Sequence, residues 1–503
     1  MLVLRLGLVL VLLCAAALGQ DEDEPATYHA AVDPVESGNH CNNCINSQFI
    51  GDFSACYHGN CKYSNFYNDC KFNVFVKFGQ SWLSIFDLKH FASIDDVEDD
   101  LVEKASKNDS IELSVIWKIS LHLKFLLVQA NKAGLDAIMA DKRVVYVEQD
   151  GWVKVQGKTS DQKVKGDGKE DKEVNDLATK QWALDRIDQR NMPLDGKFRY
   201  HPNGGNGSNI YVIGTGVNEK HEDFGGRAVN IYDFRGENFT GRDCSGHGTH
   251  VASLAAGKKY GVARQAKVYG VRLTRCRGDA KVSDAVKGIN WLAEMVARNC
   301  VALVEVASSS KSPSLDNAIH RLYTAGCVVV VPAGNNNSKA CEFSPSRMKG
   351  PITVGATTKA DYAVFFSNQD ECVDIFAPGL AIEGAFYDSR TASQNMSGTS
   401  MAAGYVAGAA AVHLANDMRL FKVKPYLVRH ATEYQLRGVE NGAPNKLLYV
   451  GKVSSRVDYN RPIKEKMKSK KGDAEEEKEK ESKSESMSGK NEKTPGTGAK
   501  TEL

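Results

Sequence analysis

Val328-Val329-Val330-Val331-Pro332-Ala333-Gly334-Asn335 is a run of four valines closed by a proline, two small residues and a carboxamide. An unbroken apolar run has no polar side to turn to water, so it fits a strand covered on both faces, as in parallel sheets. Pro332 and Gly334 end that strand, and Asn335 stands at its carboxyl end, where open α/β sheets carry their sites. Working outward, comparable runs recur at 210–213, 267–273, 301–306, 352–354 and 373–376. Between them Val282, Val286, Ile289, Ala293 and Val296 recur at helical spacing behind Ser283, the expected N-cap. Residues 181–452 therefore read as an α/β domain, a mostly parallel sheet with helices on both faces.

Two further stretches carry chemistry. Gly246-His247-Gly248-Thr249-His250 stands where a loop enters an apolar helix, and Gly398-Thr399-Ser400-Met401-Ala402 opens a small-residue helix running through Ala411. With Asn335 they offer a serine at a helix N-terminus, a histidine base and an amide donor, which is the equipment for acyl transfer. Singly they have plainer readings, since His-x-x-His suits a metal pair and Ser-Met-Ala a helix cap.

Taken together the three stretches resemble the subtilases, the subtilisin-like serine peptidases, and within them the proteinase K subfamily. The likeness also takes in 181–188, 331–337 and 373–379. Residues 71–156 resemble the inhibitory propeptide of that family, closing on Val144-Val145-Tyr146-Val147-Glu148-Gln149-Asp150. The resemblance implies Ser400 as nucleophile, His247 as general base and Asn335 as oxyanion donor. It also exposes a departure, because the family's catalytic aspartate falls at Gly214 in Tyr211-Val212-Ile213-Gly214-Thr215-Gly216-Val217. That carboxylate fixes the imidazole tautomer and steadies the imidazolium, and its loss from subtilisin costs about 3 × 10⁴ in rate. Asp243 and Glu219 lie near in sequence, and Asp243 is expected to serve its own loop. Ala307-Ser308-Ser309 stands on the substrate-pairing edge where the family has Ser-Leu-Gly, and Gly404-Tyr405 replaces Pro-His after the nucleophile. The expectation is a severely impaired peptidase homologue that works by holding a peptide or protein ligand, its own propeptide included, in the substrate cleft. Two alternatives stay open: a slow or specialised serine endopeptidase using His247 and Ser400, and a secreted structural or storage protein.

The resemblance further implies disulfides Cys244–Cys276 and Cys341–Cys372, while Cys300 and Cys327 read either as a pair or as buried thiols. Asp374 resembles a calcium-ligating aspartate of the subfamily, but residues 349–351 depart from the pattern, so no cofactor or metal is assigned.

Residues 1–19 read as a signal peptide, with Arg5, an apolar run too short to span a bilayer, and Ala17-Leu18-Gly19 at the cut. Residues 20–70 hold an acidic leader and the cluster Cys41, Cys44, Cys56, Cys61 and Cys70, fitting an oxidising lumen. Residues 157–180 read as a charged exposed linker and 453–503 as a Lys/Glu-rich disordered tail. A formal net charge of +2 on 503 residues gives no nucleic-acid binder, and no later run suits membrane insertion. Sequons at Asn108, Asn206, Asn238, Asn336 and Asn395 permit glycosylation. The expected address is the secretory pathway: secretion, or the endoplasmic reticulum lumen if Lys500-Thr501-Glu502-Leu503 serves as a retrieval signal.

Overall fold

A computed structural model describes residues 82–88, 93–120, 123–164, 176–178, 181–199, 201–236 and 239–451. The signal segment, the N-terminal cysteine cluster, the strand expected at 72–78 and the charged tail lie outside the described residues.

The first unit comprises β1 (Trp82–Leu88), α1 (Ile94–Ser106), β2 (Leu113–Ile119), β3 (Phe125–Ala130), α2 (Lys132–Met139) and β4 (Val144–Gln149). Its strands form one antiparallel sheet in the order β2-β3-β1-β4. Ser93 caps α1 by accepting from Asp96 N at 3.3 Å, and Asn131 caps α2 by accepting from Gly134 N at 2.9 Å. Ile94, Val97 and Leu101 share one face of α1 and meet Leu126, Val128 and Ala130. Strand periodicity sends the alternate residues Phe125 and Leu127 into the core of the larger unit, so this sheet is covered on both faces.

Beyond β4 the chain continues as β5 (Trp152–Val155) and β6 (Lys158–Val164). After β7 (Asp176–Ala178), α3 (Trp182–Ile187) and β8 (Lys197–Arg199), in which β7 pairs with β8, the α/β pattern begins. It runs through β9 (Asn209–Gly214), β10 (Ala228–Asp233), α4 (His247–Ala256), β11 (Lys267–Arg272), β12 (Asp279–Lys281), α5 (Val282–Met295) and β13 (Cys300–Val304). It continues with β14 (Val306–Ser308), α6 (Pro313–Thr324), β15 (Cys327–Pro332), β16 (Ile352–Thr357), β17 (Ile375–Pro378), β18 (Ile382–Ala385) and β19 (Ser393–Ser397), then closes with α7 (Thr399–Leu414), α8 (Leu420–His430), β20 (Thr432–Glu433) and β21 (Lys446–Leu447). The large sheet has the order β10-β11-β9-β13-β15-β16-β17-β21-β20, and every described pairing in it is parallel except β20 with β21. Tyr211, Ile213, Ala302, Val304, Val329 and Val331 meet α5 and α6 on one face. Their strand neighbours Ile210, Val212, Val301, Leu303, Val328 and Val330 are equally buried and turn the other way, where α7 packs.

Three departures from the sequence reading have physical causes. Ser283 lies inside the first turn of α5, after the N-cap Lys281, because Asp150 of the first unit accepts from its N and Oγ at 2.9 Å each. Glu148 does the same for α6, accepting from Ser314 N at 2.9 Å and from Ser312 Oγ. The stretch expected as an exposed linker from 157 onward contains β6, which pairs antiparallel with β19; backbone pairing needs no apolar pattern, so composition alone hid it. The run at 373–376 forms its strand two residues later, as β17. Disulfides join Cys244–Cys276, Cys341–Cys372 and Cys300–Cys327, the last pair being register partners on neighbouring strands.

Candidate active site

His247 is the first residue of α4, and the loop before it is built on Asp243. Asp243 Oδ1 accepts from Ser245 N, Gly246 N and Thr215 Oγ1, each at 2.9 Å, and Oδ2 accepts from Thr249 N and Thr249 Oγ1 at 2.9 and 2.6 Å. Both of its oxygens are consumed by the loop, so Asp243 does not face the imidazole. Glu219 is engaged with Asn230 N at 3.2 Å. His250, one turn along α4, places Nε2 at 3.0 and 3.1 Å from the carbonyls of Ile382 and Gln394, and burial pulls its pKa down to about 3. The His-x-x-His spacing is therefore one site histidine and one structural histidine.

The partner of His247 is a residue the motifs did not single out. Glu305, wholly buried between β13 and β14, sets Oε2 at 2.8 Å from His247 Nδ1. The sheet register explains how it gets there. Val304 is the register partner of Ile213, and Glu305 N donates to Ile213 O at 3.0 Å, so Glu305 follows on directly beside Gly214. Side chains at neighbouring register positions point to the same face. The carboxylate thus enters from the adjacent strand and fills the space a side chain at 214 would need. A Cβ on Gly214 would overlap Glu305 Oε2 and lie 2.8 Å from Cδ and 3.1 Å from Cβ of the same glutamate. The position read as vacated is vacant in the backbone register and filled in space. Burial pushes the Glu305 pKa up, and the charge and hydrogen bond of His247, with the Thr215 backbone, oppose that rise.

Ser400 is the second residue of α7, and Asn335 follows the end of β15. The Asn335 side-chain oxygen accepts from Thr399 N and Thr399 Oγ1 at 3.0 Å each, which leaves its NH₂ beside Gly398. That space is already in use by the chain itself. Ser400 N donates to the carbonyl of Gln156 at 3.2 Å. A Cβ on Gly398 would meet that same carbonyl oxygen, with Gly157 Cα at 2.8 Å and Asn335 Nδ2 at 3.2 Å, so glycine is what lets the Gln156 carbonyl approach. Ser400 Oγ and His247 Nε2 are both buried and have no hydrogen-bond partner among the described residues.

The expected substrate edge is occupied in the same way. β5 lies antiparallel between β12 and β14, pairing Val306 with Val155, Ala307 with Lys154 and Ser308 with Val153, while Ser309 falls just past the strand. Gln156 N donates to Glu305 O at 3.2 Å, and beyond Gly157 the pairs Lys158 with Ser397 and Thr159 with Met396 carry the strand onward. Val153 is fully buried, and Trp152 stacks under the cations of Arg275 and Lys281. The chain therefore crosses the site from β5 to β6, with Gln156 at a bend and the Gln156–Gly157 peptide bond between the two strands. Gly404 has a packing reason: a Cβ there would stand 3.0 Å from Val251 O, where α7 crosses α4.

The matched family and relatives can now be set beside this geometry. Residues 205–448 match the model of the subtilase family. An extracellular serine proteinase of a Thermus strain is 38% identical over 329 residues, covering 65% of this chain and 75% of the relative. The chain belongs to the subtilase family. The alkaline serine exoprotease A of Vibrio alginolyticus is also 38% identical, with 69% of this chain and 62% of the relative covered. Among solved structures, a cold-adapted subtilisin-like serine proteinase is 40% identical with a TM-score of 0.52, covering 54% of this chain and 98% of the other. The fold is the subtilisin-like α/β fold.

The calcium that the resemblance brings to mind does not fit the residues around Asp374. Lys424 Nζ lies 2.8 Å from Asp374 Oδ2 and 2.7 Å from the carbonyls of both Lys349 and Pro351. An ammonium from α8 already takes the three oxygens a cation would use. The grouping of Cys341, Asp370 and Cys372 is likewise no metal centre, because its two thiols form one disulfide.

Proposed function

We propose that the chain is the precursor of a serine endopeptidase whose catalytic carboxylate has moved to the neighbouring strand, with Ser400, His247 and Glu305 as its triad. The 2.8 Å contact between Glu305 Oε2 and His247 Nδ1 carries this reading. It removes the reason for expecting an idle imidazole: a carboxylate on Nδ1 holds the proton there, leaves Nε2 as the basic nitrogen and stabilises the imidazolium. His247 Nε2 takes the proton of Ser400 Oγ as Oγ bonds to the carbonyl carbon. The oxygen that gains charge is met by Ser400 N and Asn335 Nδ2. His247 then gives its proton to the leaving nitrogen, the acyl group remains on Ser400, and water releases it by the same steps in reverse.

The first substrate on this reading is the chain itself, at Gln156–Gly157. The first unit then acts as a propeptide whose end, 152–156, remains in the cleft as a product-like inhibitor. Intact-mass measurement of the secreted protein tests this: a new N-terminus at Gly157 that vanishes in Ser400→Ala is expected, and an uncut wild-type chain argues for a ligand-holding homologue instead. That second reading draws on the altered Ala307-Ser308-Ser309 edge. Secretion is supported by the leader at 1–19 and by the extracellular character named for the Thermus relative. Among the described residues no helix is long and apolar enough to cross a membrane.

A further inference from the structure

The first unit leaves an indole at the outer end of the cleft. Trp152 is the fifth residue before the Gln156–Gly157 bond, and it is 40% exposed although β5 is paired on both edges. We propose that Arg275 and Lys281 form a subsite for an aromatic side chain at this position, so that peptides carrying an aromatic as the fifth residue before the cut are the preferred substrates. This assignment rests on the endopeptidase reading and names its substrate class.

Strand alternation divides β5 into two faces. Val153 is fully buried, and Val155 lies against Gly278, where a Cβ would come within 2.6 Å of Val155 Cγ2, so these two positions meet the body of the domain. Trp152 and Lys154 are exposed on the other face. Apolar burial therefore does not explain the indole; its partners are charges. Arg275 Cζ stands 4.6 Å and Lys281 Nζ 4.4 Å from the Trp152 ring. Both lie within the roughly 6 Å over which a cation is drawn to the negative face of an aromatic ring, and indole is the best of the rings. The backbone sets where each cation stands. Lys281 is the register partner of Trp152 on β12. Arg275 belongs to a turn in which its N donates to Asp279 O and its O accepts from Gly278 N, at 2.9 Å each, and the next residue, Cys276, is bound to Cys244. Lys281 Nζ also donates to the Asp150 carbonyl at 3.4 Å, a backbone group that a peptide of any sequence presents. Arg277 stands apart from the pair, with its Nε 3.5 Å from Asp279 Oδ1. Two cations so placed attract an indole and repel a lysine, whereas a leucine offers them no π face.

The test uses processed enzyme separated from its first unit and peptides with the sequence of residues 150–160, varied only at the position of Trp152. The kcat/KM of the Trp peptide is expected to exceed that of the Leu peptide roughly 5- to 30-fold, mostly through KM, the range that two partly exposed cation–π contacts supply. The Lys peptide should be cut more slowly than the Leu peptide. In the double variant Arg275→Gln with Lys281→Gln the Trp and Leu peptides should be cut within about twofold of each other, since neither cation is left; a Trp preference kept there overturns the inference. Equal cutting of the Trp and Leu peptides by wild type also overturns it, needs no variant to fold, and leaves the endopeptidase reading intact. A Glu peptide cut faster than the Trp peptide overturns it as well, by making the two cations a plain anion site. If wild type cuts neither itself nor any peptide, the endopeptidase reading fails, and the subsite is judged in the Ser400→Ala chain by hydrogen exchange of the Val155 amide, which donates to Gly278 O at 2.9 Å. There Trp152→Leu must speed that exchange by a similar factor if the cations hold the ring, and unchanged exchange refutes it.

Discussion

Exchanging the two residues that compete for one space gives the sharpest expectation. Gly214→Asp alone would restore the family's motif in sequence, yet its Cβ would overlap Glu305 Oε2 and lie 2.8 Å from Cδ. The new carboxylate would also bring a second negative charge into a fully buried space that already raises the Glu305 pKa. This single change should therefore lower both stability and activity. Glu305→Ala alone removes the hydrogen bond at His247 Nδ1 and should cost about 3 × 10⁴ in kcat, the loss seen on removing the triad aspartate of subtilisin, or about 6 kcal/mol of transition-state stabilisation. Glu305→Ala with Gly214→Asp opens the space and supplies a carboxylate from β9, so the pair should recover at least about a hundredfold over Glu305→Ala. The assay is the first-order rate of cutting at 156–157, with thermal unfolding of the same variants in the Ser400→Ala chain. A gain of activity in Gly214→Asp alone, or no recovery in the pair, would refute the reasoning.

Three further outcomes follow from other contacts. Lys424→Ala should destabilise the fold by about 1 to 3 kcal/mol, below the value for a fully buried pair because both side chains are partly exposed, and millimolar calcium should restore part of the loss. Thermal unfolding with calcium and with chelator checks this, and a calcium-dependent shift in wild type that Asp374→Asn abolishes would contradict it. Glu148→Ala and Asp150→Ala each free a helix N-terminus, and each should weaken the hold of the first unit by about 1 to 2 kcal/mol, measured as inhibition of processed enzyme by the added unit; unchanged inhibition argues against the caps. Burial pushes Asp223 up to about 6, with the Lys259 backbone opposing, so its folded value lies above the unfolded one. The folded chain then holds the proton more tightly, and the Asp223 contribution to stability falls as pH rises from about 4 to about 6. Wild type should lose melting temperature relative to Asp223→Asn across that window, in the Ser400→Ala background, and a flat or rising difference contradicts the shift.

How far the sequence could be read depended on the kind of signal. The valine run ending at Asn335 and the small-residue helix behind Ser400 were legible because burial on both faces leaves nothing but apolar side chains. Three site residues stood in recognisable words. Glu305 did not, although one signal was present: it is the lone charge in Val301-Ala302-Leu303-Val304-Glu305-Val306, and a carboxylate in a buried central strand needs a partner. Which partner it takes depends on sheet register between β9 and β13, separated by most of the first half of the domain. The passage of 152–164 through the cleft was hidden for a related reason. Its second half, 158–164, is paired to β19 through the backbone, which leaves no mark in the polar run Lys158-Thr159-Ser160-Asp161-Gln162-Lys163.

The central claim is that Glu305 completes a working triad, and labelling of Ser400 by a fluorophosphonate tests it most directly. Processed wild-type protein separated from its first unit should gain the probe's mass on the peptide carrying Ser400, the Ser400→Ala chain should gain none, and Glu305→Gln should react at least about a thousandfold more slowly. Equal labelling of wild type and Glu305→Gln, or no labelling of wild type under conditions that label an active relative, would contradict the account.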